Sequence, residues 1–179
     1  NTMQLVMAGN DSQGLRFGTI DTPEKYYLTW KEDTKAEDAL SKKIKGLMDG
    51  VEHILHKQLL GFCHKKRFLE IIYYFVVFDR GTKKLCRPNQ YFGVKAARPR
   101  IKKKESGIIW HSQGSGKSLV MVWIAKWIRE NISDSRVLII TDRDELDKQI
   151  EKVFKGVDED IYRTKSGRDL LEKLNQTTP

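Results

Sequence analysis

The sequence predicts an α/β fold wound around a parallel sheet, and three observations carry that prediction. Two short apolar runs, Ile108–Trp110 and Arg136–Thr141, read as buried strands, the second typical of a parallel strand buried on both faces. Each leads into a segment of helical period: Leu119–Ile128 after the first, and Leu146, Ile150 and Phe154 after the second. Between the first run and its helix lies His111-Ser-Gln-Gly-Ser-Gly-Lys-Ser118, a glycine-bearing turn closed by a lysine and a hydroxyl. Strand, helix, strand, helix is the rhythm of a doubly wound sheet.

The elements follow in chain order. Met3–Met7 and Leu15–Ile20 read as strands joined by turn-forming residues from Gly9 to Gly14, a hairpin too small to stand alone. An aromatic cluster, Tyr26, Tyr27 and Trp30, comes next. From Thr34 the period becomes helical: Leu40, Ile44, Leu47, Met48, Val51, Ile54 and Leu55 share a face. Asp33 or Thr34 can cap that helix or helix pair, and Gly61 can end it. A further helix is predicted over Lys65–Ile72, a strand over Tyr73–Phe78, and a return strand over Lys83–Cys86 after the turn at 79–82. Pro88 suits the first turn of a helix carrying Gln90, Tyr91, Phe92 and Val94, and Pro99 is expected to stop it. Asp142–Asp144 opens one more helix, and a last one covers Gly167–Leu174 with Leu170, Leu171 and Leu174 inward.

Composition narrows the possibilities. The hydrophobic fraction of 39% suits a folded domain, and no apolar run reaches membrane-spanning length. Two unpatterned cysteines, Cys63 and Cys86, argue against a disulfide framework and fit a reducing cytoplasm. The chain begins at Asn1 without an initiator Met, which leads us to expect a piece of a longer protein. The net charge of +9 suggests a polyanion partner, and Lys95, Arg98, Arg100, Lys102, Lys103 and Lys104 concentrate it in ten residues that read equally well as a solvated linker. His53, His56, Cys63 and His64 lack zinc-module spacing, and His53 and His56 are expected on a core-facing helix. Trp110, Trp123 and Trp127 are expected to fill the core.

The turn at 111–118 has the chemistry of a phosphate cradle. Gly114 and Gly116 let the backbone approach an anion without a Cβ in the way. The amide N–H groups around Ser115 and the positive end of the following helix attract it. Lys117 would reach the β- and γ-phosphates of ATP, and the Ser118 hydroxyl would hold Mg²⁺; these two are the expected catalytic pair, and Ser118 the expected metal contact. The pattern G-x-x-x-x-G-K-[ST] is met except at its first glycine, which is His111.

A longer string is more specific. Trp110-His-Ser-Gln-Gly-Ser-Gly-Lys-Ser-Leu-Val-Met121, followed by Val137-Leu-Ile-Ile-Thr-Asp-Arg-Asp-Glu-Leu-Asp-Lys-Gln149, resembles motifs I and Ia of superfamily 2 helicase-like translocases. Within them it looks most like the R (restriction) subunit of type I restriction–modification enzymes. Gly18-Thr-Ile-Asp-Thr-Pro23 with Trp30-Lys31 resembles the end of that subunit's nuclease domain, and Phe68–Ile72 with Phe75–Asp79 its connecting segment. Arg87-Pro-Asn-Gln90-Tyr-Phe-Gly-Val-Lys95 resembles the glutamine motif that precedes motif I.

The resemblance implies a partial RecA-like P-loop domain over 87–179, preceded by a helical connector over 33–86 and a β-hairpin remnant of a nuclease domain over 1–32. It implies a parent that hydrolyses ATP, with Mg²⁺, to translocate and cleave double-stranded DNA in complex with methyltransferase and specificity subunits. Arg87, Gln90, Gly114, Ser115, Gly116, Lys117 and Ser118 would bind nucleotide, with the Gln90 amide reading adenine by donating and accepting at once. Thr141, Asp142 and Arg143 would contact the DNA backbone. The family's Asp-Glu box, its second-lobe arginine and the nuclease Glu-x-Lys strand do not occur here, so no turnover is expected of these residues alone. The alternatives are another superfamily 2 enzyme (type III restriction or repair), a P-loop kinase or regulatory NTPase without a nucleic-acid partner, and a nucleotide-binding remnant.

Overall fold

A computed structural model describes residues 3–79 and 81–176. β1 (Val6–Asn10) and β2 (Gly14–Gly18) form the expected antiparallel hairpin, with Val6 opposite Gly18 and Asn10 opposite Gly14. The Asn10 carboxamide oxygen accepts from the Ser12 and Gln13 N–H groups, which closes the turn. A two-residue β3 (Leu28–Thr29) adds to β2; two residues are too few to show a period. A single 3-10 turn, Glu24–Tyr26, lies between them.

The helical stretch divides into α1 (Ala39–Met48) and α2 (Ile54–Phe62), because the chain turns at Gly50 with φ 72°, a backbone that glycine adopts without strain. The cap of α1 is Asp38, whose carboxylate accepts from the Ser41 N–H and hydroxyl, and not Asp33 or Thr34. Gly61 lies inside α2, with Cys63 following its end. His53 only caps α2 and, like His56, is exposed, so neither faces the core. α3 (Lys65–Tyr74) runs two residues further than its period suggested. It delivers the chain to a second hairpin, β4 (Val76–Asp79) with β5 (Thr82–Leu85).

α4 spans Pro88–Lys102 and passes through Pro99, where the local sequence rule predicts an end. A helix-interior proline costs about 3 kcal/mol. Here contacts made by the turn before it offset that cost. Lys95 and Arg98 converge on Glu70 of α3 at 3.1 and 2.5 Å. The Arg98 guanidinium also lies 5.4–5.6 Å from the rings of Tyr74, Phe75 and Trp127. Two of the six residues of the basic run are therefore structural, and Arg100, Lys102, Lys103 and Lys104 are exposed.

The core is aromatic. Phe17 stacks on Phe62 at 4.2 Å, and Trp30 meets Phe62, Tyr91 and Phe92 within 5.7 Å. One buried cluster thus runs from Leu15 through α2, α3, β4–β5 and α4 to Trp123. Inside it sits Arg67, fully buried, paired with Glu32 and donating to the Gly61 carbonyl at 2.8 Å. The β1–β2 hairpin, α2, α3, the β4–β5 hairpin and α4 share this core.

Beyond it, α5 (Lys117–Asn131) packs on α4 and on α6 (Asp144–Gly156), burying Val122, Ala125, Ile150 and Phe154 together. α7 (Gly167–Leu174) lies where expected, but Leu171 and Leu174 are exposed and only Leu170 is partly covered. The expected parallel sheet is not among the described elements. Residues 107–110 and 136–141 run without a strand ladder, and the sheets among the described residues are the two antiparallel ones. A parallel strand needs lateral neighbours for its hydrogen bonds, and these two runs do not pair. Ile108, Trp110 and Ile140 are accordingly 89%, 90% and 83% exposed, so Trp110 does not fill the core as Trp123 and Trp127 do.

Candidate functional site

The loop between residues 110 and 117 is built on two left-handed glycines, Gly114 at φ 74° and Gly116 at φ 80°. Gly116 caps α5, so the first helical amides, which have no partner within an α-helix, belong to Lys117 and Ser118. No atom lies within 4 Å of where a Gly114 Cβ would stand, so that side of the loop is open to an anion.

Ser112 organises the loop through its carbonyl, which no side-chain pattern could have revealed. It accepts from the Ser115 hydroxyl at 2.7 Å, the Ser115 N–H at 3.4 Å and the Lys117 ammonium at 3.0 Å. The ammonium also donates to the His111 carbonyl at 3.4 Å. His111, at the position of the missing first glycine, rests its ring on α4 where Gly93 lacks a side chain; a Cβ there would stand 3.3 Å from the ring.

The start of α4 is fastened to the same loop. The Arg87 guanidinium donates to the Gly114 carbonyl at 3.2 Å. The Gln90 amide nitrogen donates to the carbonyls of Ser115 and Gly116 at 3.1 and 3.0 Å, while its oxygen accepts from the Arg87 N–H at 2.8 Å. Gln90 is 2% exposed. Arg87, Gln90, Gly114, Ser115, Gly116 and Lys117 are thus one linked set, and Ser118 adjoins it on α5.

Two clefts open beside the set. One of about 390 Å³ is lined by Arg87, Asn89, Trp110, His111 and Ser115. The other, about 520 Å³, has an apolar wall of Leu28, Pro88, Phe92 and Ala96 and shares Arg87, Asn89 and His111 with the first. A larger cleft of about 790 Å³ lies between residues 132–139 and α6, along the unpaired run, and contains none of the expected site residues.

Thr141, Asp142 and Arg143 stand apart, with no hydrogen bond to the loop among the described residues. Asp142 and Arg143 lean on each other at 3.8 Å with side chains 79% and 76% exposed, at the start of α6. Burial pushes the Cys86 thiol up, so it stays neutral behind the site. Burial, and then the Glu70 carboxylate, also raise the Tyr91 hydroxyl, which donates to Glu70 at 2.9 Å. No group of His, Cys, Asp and Glu suited to a metal ion occurs among the described residues, and no helix there is long and apolar enough to cross a membrane.

Comparison with known proteins shows the family. The SWI2/SNF2 ATPase family model matches residues 89–179, from the start of α4 onward. The type I restriction enzyme HindI endonuclease subunit of Haemophilus influenzae is 26% identical over 175 residues, covering 90% of this chain and 15% of the relative. A Methanocaldococcus jannaschii protein named as a candidate type I restriction enzyme MjaVIIP endonuclease subunit is 31% identical over 155 residues, 75% of this chain and 14% of its own length. A Mycoplasma pneumoniae protein, named as the C-terminal part of a candidate type I restriction enzyme MpnIIP endonuclease subunit, is 29% identical over 150 residues, covering 76% of this chain and 69% of the relative. The chain therefore spans a small part of the first two relatives.

Proposed function

From the chain's membership of the SWI2/SNF2 ATPase family, with relatives among type I restriction endonuclease subunits, we propose that it is the nucleotide-holding part of an ATP-dependent, DNA-translocating R subunit. Residues 1–32 would be the tail of a nuclease domain, 33–86 a connector, and 87–179 the first part of a RecA-like lobe. In that lobe 107–110 and 136–141 would be strands of a parallel sheet completed by further strands.

The loop with its two left-handed glycines at the head of α5 carries the proposal. The open side at Gly114, the amides of Lys117 and Ser118, and the positive helix end fit a triphosphate. Lys117 would exchange two neutral carbonyl partners for anionic phosphate oxygens, so that both donor and acceptor carry charge. Ser118 would hold Mg²⁺, which supplies charge neutralisation of the phosphates when bound. Arg87 would stand at the same rim. Thr141, Asp142 and Arg143, exposed at a helix start, would touch the phosphate backbone of double-stranded DNA, and methyltransferase and specificity subunits would complete the complex.

Titration with Mg-ATP tests the reading. The chain should bind it weakly, without steady hydrolysis, and Lys117→Ala should weaken binding by tenfold or more. Binding that Lys117→Ala leaves unchanged would overturn the nucleotide site. Steady hydrolysis abolished by the same substitution would overturn the incompleteness of the catalytic set.

A further inference from the structure

We infer that Gln90 is a positioning residue that latches the phosphate loop to α4, and that it does not read the base. The inference rests on the nucleotide reading above and assigns this residue a different task within it. A carboxamide recognises adenine only if its N–H₂ and its oxygen are both available to the ring. Here the N–H₂ is not: it donates to the carbonyls of Ser115 and Gly116, and the oxygen already accepts the Arg87 N–H with one of its two lone pairs. At 2% exposure the side chain has no face toward either cleft, and neither cleft has it in its wall.

The contact is also tight. A Cβ on Gly116 would stand 2.3 Å from the Gln90 amide nitrogen, so the glycine that turns the chain into α5 is also what admits the amide. Two neighbouring carbonyls at the apex of the loop are thereby tied to the first turn of α4. Arg87 ties a third, that of Gly114, from the outside. A peptide whose carbonyl is held on one side presents its N–H on the other, because the peptide group is planar and trans. The Ser115 and Gly116 carbonyls belong to the peptides that supply the N–H groups of Gly116 and Lys117. Holding those carbonyls therefore orients two of the donors that an anion in the loop would meet.

A latch and a base reader differ in what they discriminate. A base reader favours ATP over GTP and is irrelevant to a ligand without a base. A latch supports the phosphate tail whatever is attached to it.

The test compares Mg-ATP, Mg-GTP and Mg-tripolyphosphate binding to the whole chain, as wild type, Gln90→Glu and Gln90→Ala. Gln90→Glu keeps the shape and the acceptor for Arg87 but faces two carbonyls with a carboxylate oxygen. Affinity for all three ligands should fall together, by about tenfold for Gln90→Glu, since a few hydrogen bonds of ordinary net strength are lost. A fall confined to ATP, with tripolyphosphate unchanged, would overturn the latch. Amide hydrogen exchange of residues 111–118 without ligand gives an independent reading. Exchange there should quicken in both variants while the β1–β2 hairpin keeps its protection, and an unchanged loop would also overturn the latch. The exchange result stands even if the wild-type chain binds none of the ligands, an outcome that would count against the nucleotide reading alone.

Discussion

Arg67 of α3 lies against Tyr91 and Phe92 of α4, the helix that carries Gln90. Its guanidinium is entirely buried, paired with Glu32, and donates to the Gly61 carbonyl at 2.8 Å and the Ser41 hydroxyl at 3.4 Å. The rings of Trp30, Tyr91 and Phe92 lie 5.4–5.5 Å from it. Arg67→Met keeps the stem and most of the volume but removes the charge. It leaves the Glu32 carboxylate with one oxygen that has no hydrogen-bond partner already and the other held only by the Trp30 indole N–H at 2.5 Å. Breaking a buried pair from one side costs about 3–5 kcal/mol, because the remaining charge stays desolvated. Glu32 is 16% exposed at its side chain, so partial hydration favours the lower end of that range. Against a typical total of roughly 5–15 kcal/mol, such a loss should be plain in urea unfolding as a lower midpoint at unchanged slope. Removing both partners (Arg67→Met with Glu32→Gln) should cost less than the two single changes added together, by about 1 kcal/mol or more. A loss for Arg67→Met within about 1 kcal/mol of wild type, or two losses that simply add, would refute the buried pair's role.

Two further outcomes follow from the same structure. Trp110 is 90% exposed whereas Trp30, Trp123 and Trp127 are buried, so Trp110→Phe should remove the most readily quenched part of the fluorescence under acrylamide; an unchanged quenching constant would place another tryptophan in solvent. At Asp38, burial favours the neutral acid, but hydrogen bonds from the Ser41 side chain and backbone and the charges of Lys95 and Arg67 prevail, and the carboxyl titrates below its usual value. A lowered folded value means that the cap's ionic contribution is fully present above the unfolded value of about 3.9 and is lost as pH falls through the folded one. Asp38→Ala should therefore cost about 1 kcal/mol at neutral pH. The gap should close in strong acid, and a gap of constant size from neutral to acid pH would refute the assignment.

What the sequence revealed and what it hid divide along the range of the interactions. Helices declare themselves locally, through period and caps, and α3, α5, α6 and α7 lie where the apolar spacing puts them. The loop before α5 is local too, since its two left-handed positions are written as glycines and its helix start as Lys117-Ser118. Strand pairing is not local. The composition of 107–110 and 136–141 states that each run is apolar, and says nothing about whether a neighbour lies beside it. Pro99 misled for a related reason: the local rule ends a helix there, whereas Glu70, nearly thirty residues earlier, holds Lys95 and Arg98 and keeps α4 going past it.

Gln90 shows the limit most sharply. A primary amide offers the same donors and acceptor to an adenine edge and to three backbone groups, so its residue type alone cannot separate a reader from a latch. The choice is made by the carbonyls that surround it. They belong to Ser115 and Gly116, twenty-five positions away and more, and reach the amide only because α4 and α5 pack side by side. A motif identifies a residue's chemistry, but the packing of the helices that carry it decides on which partner that chemistry is spent.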